Sequence, residues 1–125
     1  MYSPRERALR AVKVGNVVFG ITESGKGRML LVYKATDRKI FARHIPSTTR
    51  AEFWRDGKSQ WCQGGGTCVI VSTASLPTDQ HELALGLDRK MRAAKDLADY
   101  RLSQAEIQLL RSADDFFTAR PLPAT

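Results

Sequence analysis

The hydrophobic pattern of this 125-residue chain changes period once, at Leu76-Pro77, and that change calls for strands before it and helices after it. Upstream, short apolar runs rich in β-branched residues are separated by turn-forming residues. "AVKVGNVVFGIT" (11–22) is interrupted by Gly15, the mark of a bend or bulge. "RMLLVYKA" (28–35) reads as a buried strand, and Thr36-Asp37-Arg38 turns the chain into "KIFARHI" (39–45). Pro46 ends that strand because it lacks the N–H a ladder needs. "RAEFWRD" (50–56) runs into an Asp56-Gly57 turn, and "TCVIVST" (67–73) follows a loop of Gln63 and three glycines. Downstream, Leu83, Leu87, Met91, Ala94 and Ala98 recur at helical spacing behind an Asp79/Glu82 capping signature, with Gly86 a weak point in the interior. Ser103 and Glu106 make a second capping box, opening a helix that reaches about residue 117. The expected fold class is α+β: a small SH3-like antiparallel β-barrel of about five strands followed by two C-terminal helices. The chain reads as a single domain over 1–125, with the barrel at 11–75, the helical part at 79–117 and an extended tail at 118–125.

Charge follows the same division. Residues 1–75 hold 13 Lys/Arg against 5 Asp/Glu and residues 76–125 hold 7 against 8, so the net charge of +7 arises in the strand-rich part. A basic module suits an anionic partner, nucleic acid first and an acidic protein second; a basic surface with no such partner is the plain alternative. No apolar run approaches the roughly 20 residues that span a bilayer, and "MYSPRERALR" lacks the apolar stretch of a signal peptide. A soluble, cytoplasmic protein with no membrane partner is expected. Cys62 and Cys68 have only His44 and His81 to join them, at no familiar zinc spacing, so no metal is expected; a disulfide across the Gly64-Gly65-Gly66 loop is geometrically conceivable, but for a cytosolic chain two reduced thiols are the expectation. No cofactor motif is found.

The "SGKGRML" segment is not a nucleotide-triphosphate loop. It lacks the G-x-x-x-x-G-K-S/T spacing, and a strand rather than a helix follows its glycines. It is a strand connector carrying Lys26 and Arg28, which either grips a phosphate or holds solvated charges. Alternation along 39–45 puts Ile40, Ala42 and His44 on one side of the strand and Phe41, Arg43 and Ile45 on the other. His44 precedes the hydroxyl-rich turn Ser47, Thr48, Thr49. With Arg28 beside it, such a histidine suits metal-free RNA cleavage, in which a base activates the 2′-hydroxyl. The simpler reading is a histidine that hydrogen-bonds its own turn. Phe53, Trp54 and Trp61 stand among Arg50, Arg55 and Lys58, and rings interleaved with cations are what single-stranded nucleic acid stacks on.

The order of these pieces resembles the MazF/PemK (CcdB-like) family of small basic toxin barrels. The parallel segments are "VGNVVF" (14–19), "SGKGRMLLV" (24–32), "ARHIPSTT" (42–49), "AEFWRDG" (51–57), "TCVIVSTASL" (67–76) and "LGLDRKM" (85–91), covering roughly 12–95. The resemblance implies a ribosome-independent, metal-free endoribonuclease acting on single-stranded RNA, working as a homodimer and neutralised by an acidic antitoxin. It puts the family arginine on Arg28 and the family hydroxyl on or beside Ser47. Pro46 stands where that hydroxyl is usual, Met29 replaces a proline, and Asn16 replaces an acidic residue. On this reading Arg28 stabilises charge on the phosphate, and His44, Ser47 or Thr48 moves the proton or orients the 2′-hydroxyl. Lys26, Arg43, Arg50, Arg55, Lys58 and Trp61 hold the strand. The alternative is a non-catalytic module that binds nucleic acid or an acidic protein.

Overall fold

A computed structural model describes residues 1–94 and 101–125. Six strands form one antiparallel sheet: β1 (Val17–Thr22), β2 (Gly27–Ala35), β3 (Lys39–Ile45), β4 (Arg50–Trp54), β5 (Ser59–Cys62) and β6 (Cys68–Ser72). The order across it is β5-β4-β3-β2-β1-β6. The sheet curls until its two edges nearly meet, where Lys58 bridges to Val69 and the Ile70 N–H donates to the Gly57 carbonyl at 2.8 Å. The result is an α+β fold, a half-barrel with helices α1 (Pro4–Arg10), α2 (Thr78–Ala93) and α3 (Gln104–Thr118) around it.

The pleat sorts the apolar residues into two cores. Inside the curl, Val18, Leu30, Val32, Ile40, Ala42, Phe53 and Ile70 pack with Leu9 and Val12, so α1 and the residues after it plug one end of the half-barrel. On the outer face, Val17, Phe19, Met29, Leu31 and Ile45 are covered by Leu87 and Met91 of α2 and by Leu109, Ala113 and Phe117 of α3. Phe19 stacks on Phe117 with ring centroids 5.0 Å apart. That stack is why position 27 is glycine: a Cβ there would lie 2.3 Å from the Phe19 ring.

Two elements lie outside the expected set. Helix α1 is capped by Ser3, whose Oγ accepts from the Glu6 N–H at 3.2 Å, with Pro4 in the first turn. Strand β5 supplies the sixth strand. The Asp79/Glu82 signature does not cap α2, which starts at Thr78 behind Pro77 with no side-chain cap, so Asp79 falls in the first turn. Ser103 and Glu106 do form the capping box of α3. Ala98 lies outside the described residues. The C-terminal segment is tied down, since Leu122 is buried and its N–H donates to the Val71 carbonyl at 2.8 Å. Among the described residues, no helix is long and apolar enough to cross a membrane.

Candidate functional site

The β1–β2 connection, the β3–β4 turn and the β5–β6 loop all fall at the end of the half-barrel opposite α1. Between them opens a cleft of about 580 Å³. Its lining includes Lys26, Arg28, His44, Ser47, Thr49 and the Gly64-Gly65-Gly66 loop. All three of those glycines have φ between 80° and 88°, a left-handed run that side chains would strain, so this wall is bare backbone. Glu23 places one carboxylate at the rim.

The sheet register brings Arg28 and His44 together. Leu30 pairs directly with His44, and Arg28 lies two residues before Leu30 on the same face. Such diagonal neighbours sit about 7–8 Å apart along the backbone, within reach of long side chains. Arg28 has no ion-pair partner among the described residues. Burial, and after it the charge of Arg28, push His44 from 6.5 down to about 4, so its imidazole is neutral at neutral pH. The ring is also held. His44 Nδ1 lies 2.6 Å from Ser47 Oγ, which lies 2.8 Å from Thr49 Oγ1. If Nδ1 carries the proton and donates to Ser47, Nε2 is left as the acceptor.

Several nominated residues belong elsewhere. Thr48 is at the turn apex with φ 64°; its neighbour Thr49 takes the expected place in the cleft. Arg43 points through the other face of β3 and makes a two-pronged contact with the fully buried Asp88 of α2, at 3.2 and 3.0 Å. Its guanidinium also lies 4.8 Å from the Tyr33 ring centroid, so it is a packing element and not a strand-holding cation of the cleft. Arg55 donates to the carbonyls of Leu9 at 3.0 Å, Val12 at 2.9 Å and Thr36 at 2.9 Å. It fastens α1 at the far end. Lys58 is exposed on the β4–β5 connection, at that same far end. Trp61 pairs with Glu52, whose side chain faces away from the inner core, and so lies on the outer face. Arg50 is at the rim, its main chain locked to Gln63 by bonds of 3.0 and 2.8 Å. Among the described residues, positive side chains thus gather at the cleft as Lys26 and Arg28, with Arg50 at its edge.

Sequence reasoning missed the remaining lining. Gln63 and the glycine loop carry no chemical motif, and their place here depends on the pairing of β5 with β4, which no local sequence signal marks. Cys62 and Cys68 are free thiols in the cleft wall. Burial first, then the neighbouring Cys62, pushes Cys68 up to about 11 against the opposing pull of Arg28, so it is a protonated, unreactive thiol at neutral pH. Among the described residues, no group of three or more His, Cys, Asp or Glu is arranged to hold a metal ion. Comparison with family models, with curated proteins and with solved structures yields no match.

Proposed function

We propose that the protein binds single-stranded RNA at the open end of its half-barrel and cleaves it there, as a metal-independent, toxin-type endoribonuclease of the cytoplasm. The observation that carries this reading is an unpaired guanidinium, Arg28, on the same strand face as a neutral, hydroxyl-anchored imidazole, His44. A neutral imidazole can take a proton, and an unpaired guanidinium can hold a phosphate oxygen. The 2′-oxygen attacks phosphorus as its proton passes to His44 Nε2, and a new O–P bond forms. The bond from phosphorus to the 5′-oxygen breaks, and that oxygen takes a proton from the imidazolium or from water. The products are a 2′,3′-cyclic phosphate and a 5′-hydroxyl. Arg28 meets the charge that grows on phosphorus-bound oxygen, while Ser47 and Thr49 keep the ring from turning. The homodimer and the acidic neutralising partner implied by the MazF/PemK resemblance belong to the same proposal.

One observation favours the non-catalytic alternative. A histidine held near 4 is a weak base at neutral pH, so the cleft also suits plain phosphate binding. Incubation of the purified protein with single-stranded RNA in EDTA separates the two. Cleavage that disappears in Arg28→Ala supports the enzyme, and salt-sensitive binding without cleavage supports the module. If neither is seen at low salt, both readings fail and an acidic protein becomes the leading partner.

A further inference from the structure

Among the described residues, the helices cover only part of the outer face of the sheet. The helical core takes in Val17, Phe19, Met29, Leu31 and Ile45, but none of the outward residues of β4 and β5. The register builds a continuous row across the uncovered part: Lys34 opposite Phe41, Phe41 opposite Glu52, Glu52 opposite Trp61. The adjoining row pairs Lys39 with Trp54. A register shift between Val32 and Lys34 leaves both Tyr33 and Lys34 on the outer side, and the Tyr33 ring lies 6.4 Å from that of Phe41. The two exposed tryptophans, Trp54 at 40% and Trp61 at 46%, are the only tryptophans in the chain. Tyr33, Arg50, Glu52, Gln60 and Trp61 line a second depression of about 500 Å³.

We infer that this uncovered strip is a base-stacking platform for single-stranded nucleic acid, separate from the cleft on the other face of the sheet. Four rings stand among the cations Lys34, Lys39 and Arg50, with Glu52 as the carboxylate within the paired row. That balance is complementary to a strand with planar bases and a negative backbone. Two of the cations now rest on the rings, Lys34 at 5.0 Å from the Phe41 centroid and Lys39 at 5.0 Å from that of Trp54. A base outcompetes an exposed ammonium for a ring face, and the displaced lysine gains a phosphate. Arg50 lines both depressions, so a strand lying on the platform has a charged step toward the cleft.

Because both tryptophans lie on the platform, fluorescence excited selectively at tryptophan reports on this face. Titration of the full chain with an oligodeoxythymidylate, which lacks the 2′-hydroxyl, tests the platform whether or not the protein cleaves RNA. The expected result is saturable, salt-sensitive quenching, weakened about ten-fold by Trp61→Ala and tightened several-fold by Glu52→Gln. Glu52 is half-buried and Trp61 exposed, and neither belongs to a core, so the variants are expected to fold, and circular dichroism checks it. No quenching at low salt, or unchanged affinity in Trp61→Ala, overturns the inference. So does displacement of the DNA by poly-glutamate at equal charge concentration, which would mark the strip as a surface for an acidic protein.

Discussion

Arg43 and His44 are neighbours in β3, and the pleat sends them into opposite circumstances. Arg43 emerges beneath α2, where Asp88 and the Tyr33 ring satisfy it; His44 emerges at the open end, beside an arginine that no carboxylate among the described residues answers. The same contrast separates the two ends of the half-barrel. At the closed end Arg55 spends its donors on backbone carbonyls, while at the open end Lys26 and Arg28 stand around a cleft. A basic residue is informative about a ligand only when the fold has left it without an internal partner. Removal of Asp88 has the largest expected consequence. Asp88→Ala leaves the half-buried Arg43 charge uncompensated and also frees Arg92, which binds Asp88 at 2.9 Å. A loss of about 3–5 kcal/mol is expected in denaturant unfolding. A loss under about 1 kcal/mol would mean Arg43 is not committed to packing.

Arg28→Ala is the counterpart at the open end. With no ion-pair partner among the described residues, Arg28→Ala should leave stability within about 0.5 kcal/mol, whereas RNA cleavage should fall by about 10²–10³. Unfolding curves and cleavage rates on the same preparation decide it. A variant that unfolds easily and cleaves normally would invert the assignment of roles between Arg28 and Arg43.

How far this contrast was legible before folding can be read from the same residues. The alternation in 39–45 places His44 and Arg43 on opposite faces, yet nothing local identifies Asp88, 45 positions later, as the partner that withdraws Arg43 from any ligand. The strands with β-branched runs were visible for the reason they form, an apolar face every second residue. Strand β5, "SQWC", has four residues and no β-branched side chain, so only its pairing with β4 defines it. Missing it left the glycine loop, Gln63 and the side of the sheet that bears Trp61 unplaced. Helix α1 was readable, because Ser3, Pro4 and Glu6 hold N-cap, first-turn and capping positions. The choice of Thr49 over Thr48 was not, since turn geometry is invisible to periodicity.

The environment of His44 also predicts a pH dependence that Arg43 cannot share. Between pH 6.5 and 4 the unfolded chain takes up a proton at this position that the folded chain refuses. Stability is therefore unaffected by His44 above pH 6.5 and falls as the pH drops toward 4, by on the order of 2–3 kcal/mol. His44→Gln cannot titrate, so its unfolding free energy should be flatter across that window. Denaturant melts of both proteins at several pH values test this, and identical slopes would show that His44 is more open to water than its surroundings indicate. If the protein cleaves RNA, kcat/KM should be level at neutral pH and decline only as the pH nears 4.

The smallest expected effect is the sharpest test of position against mere charge. Lys26 and Lys58 are both exposed lysines on strand connections, equal in net charge, but Lys26 lines the cleft and Lys58 sits at the closed end. If binding is set by the local arrangement, Lys26→Ala should weaken RNA binding and lower the slope of log K against log salt by about 1. Lys58→Ala should leave affinity, slope and stability unchanged. Binding isotherms at several salt concentrations resolve such a difference even where a single affinity would not. Equal losses in the two variants would mean the RNA responds to overall charge alone, and the distinction between the two ends would have no bearing on binding.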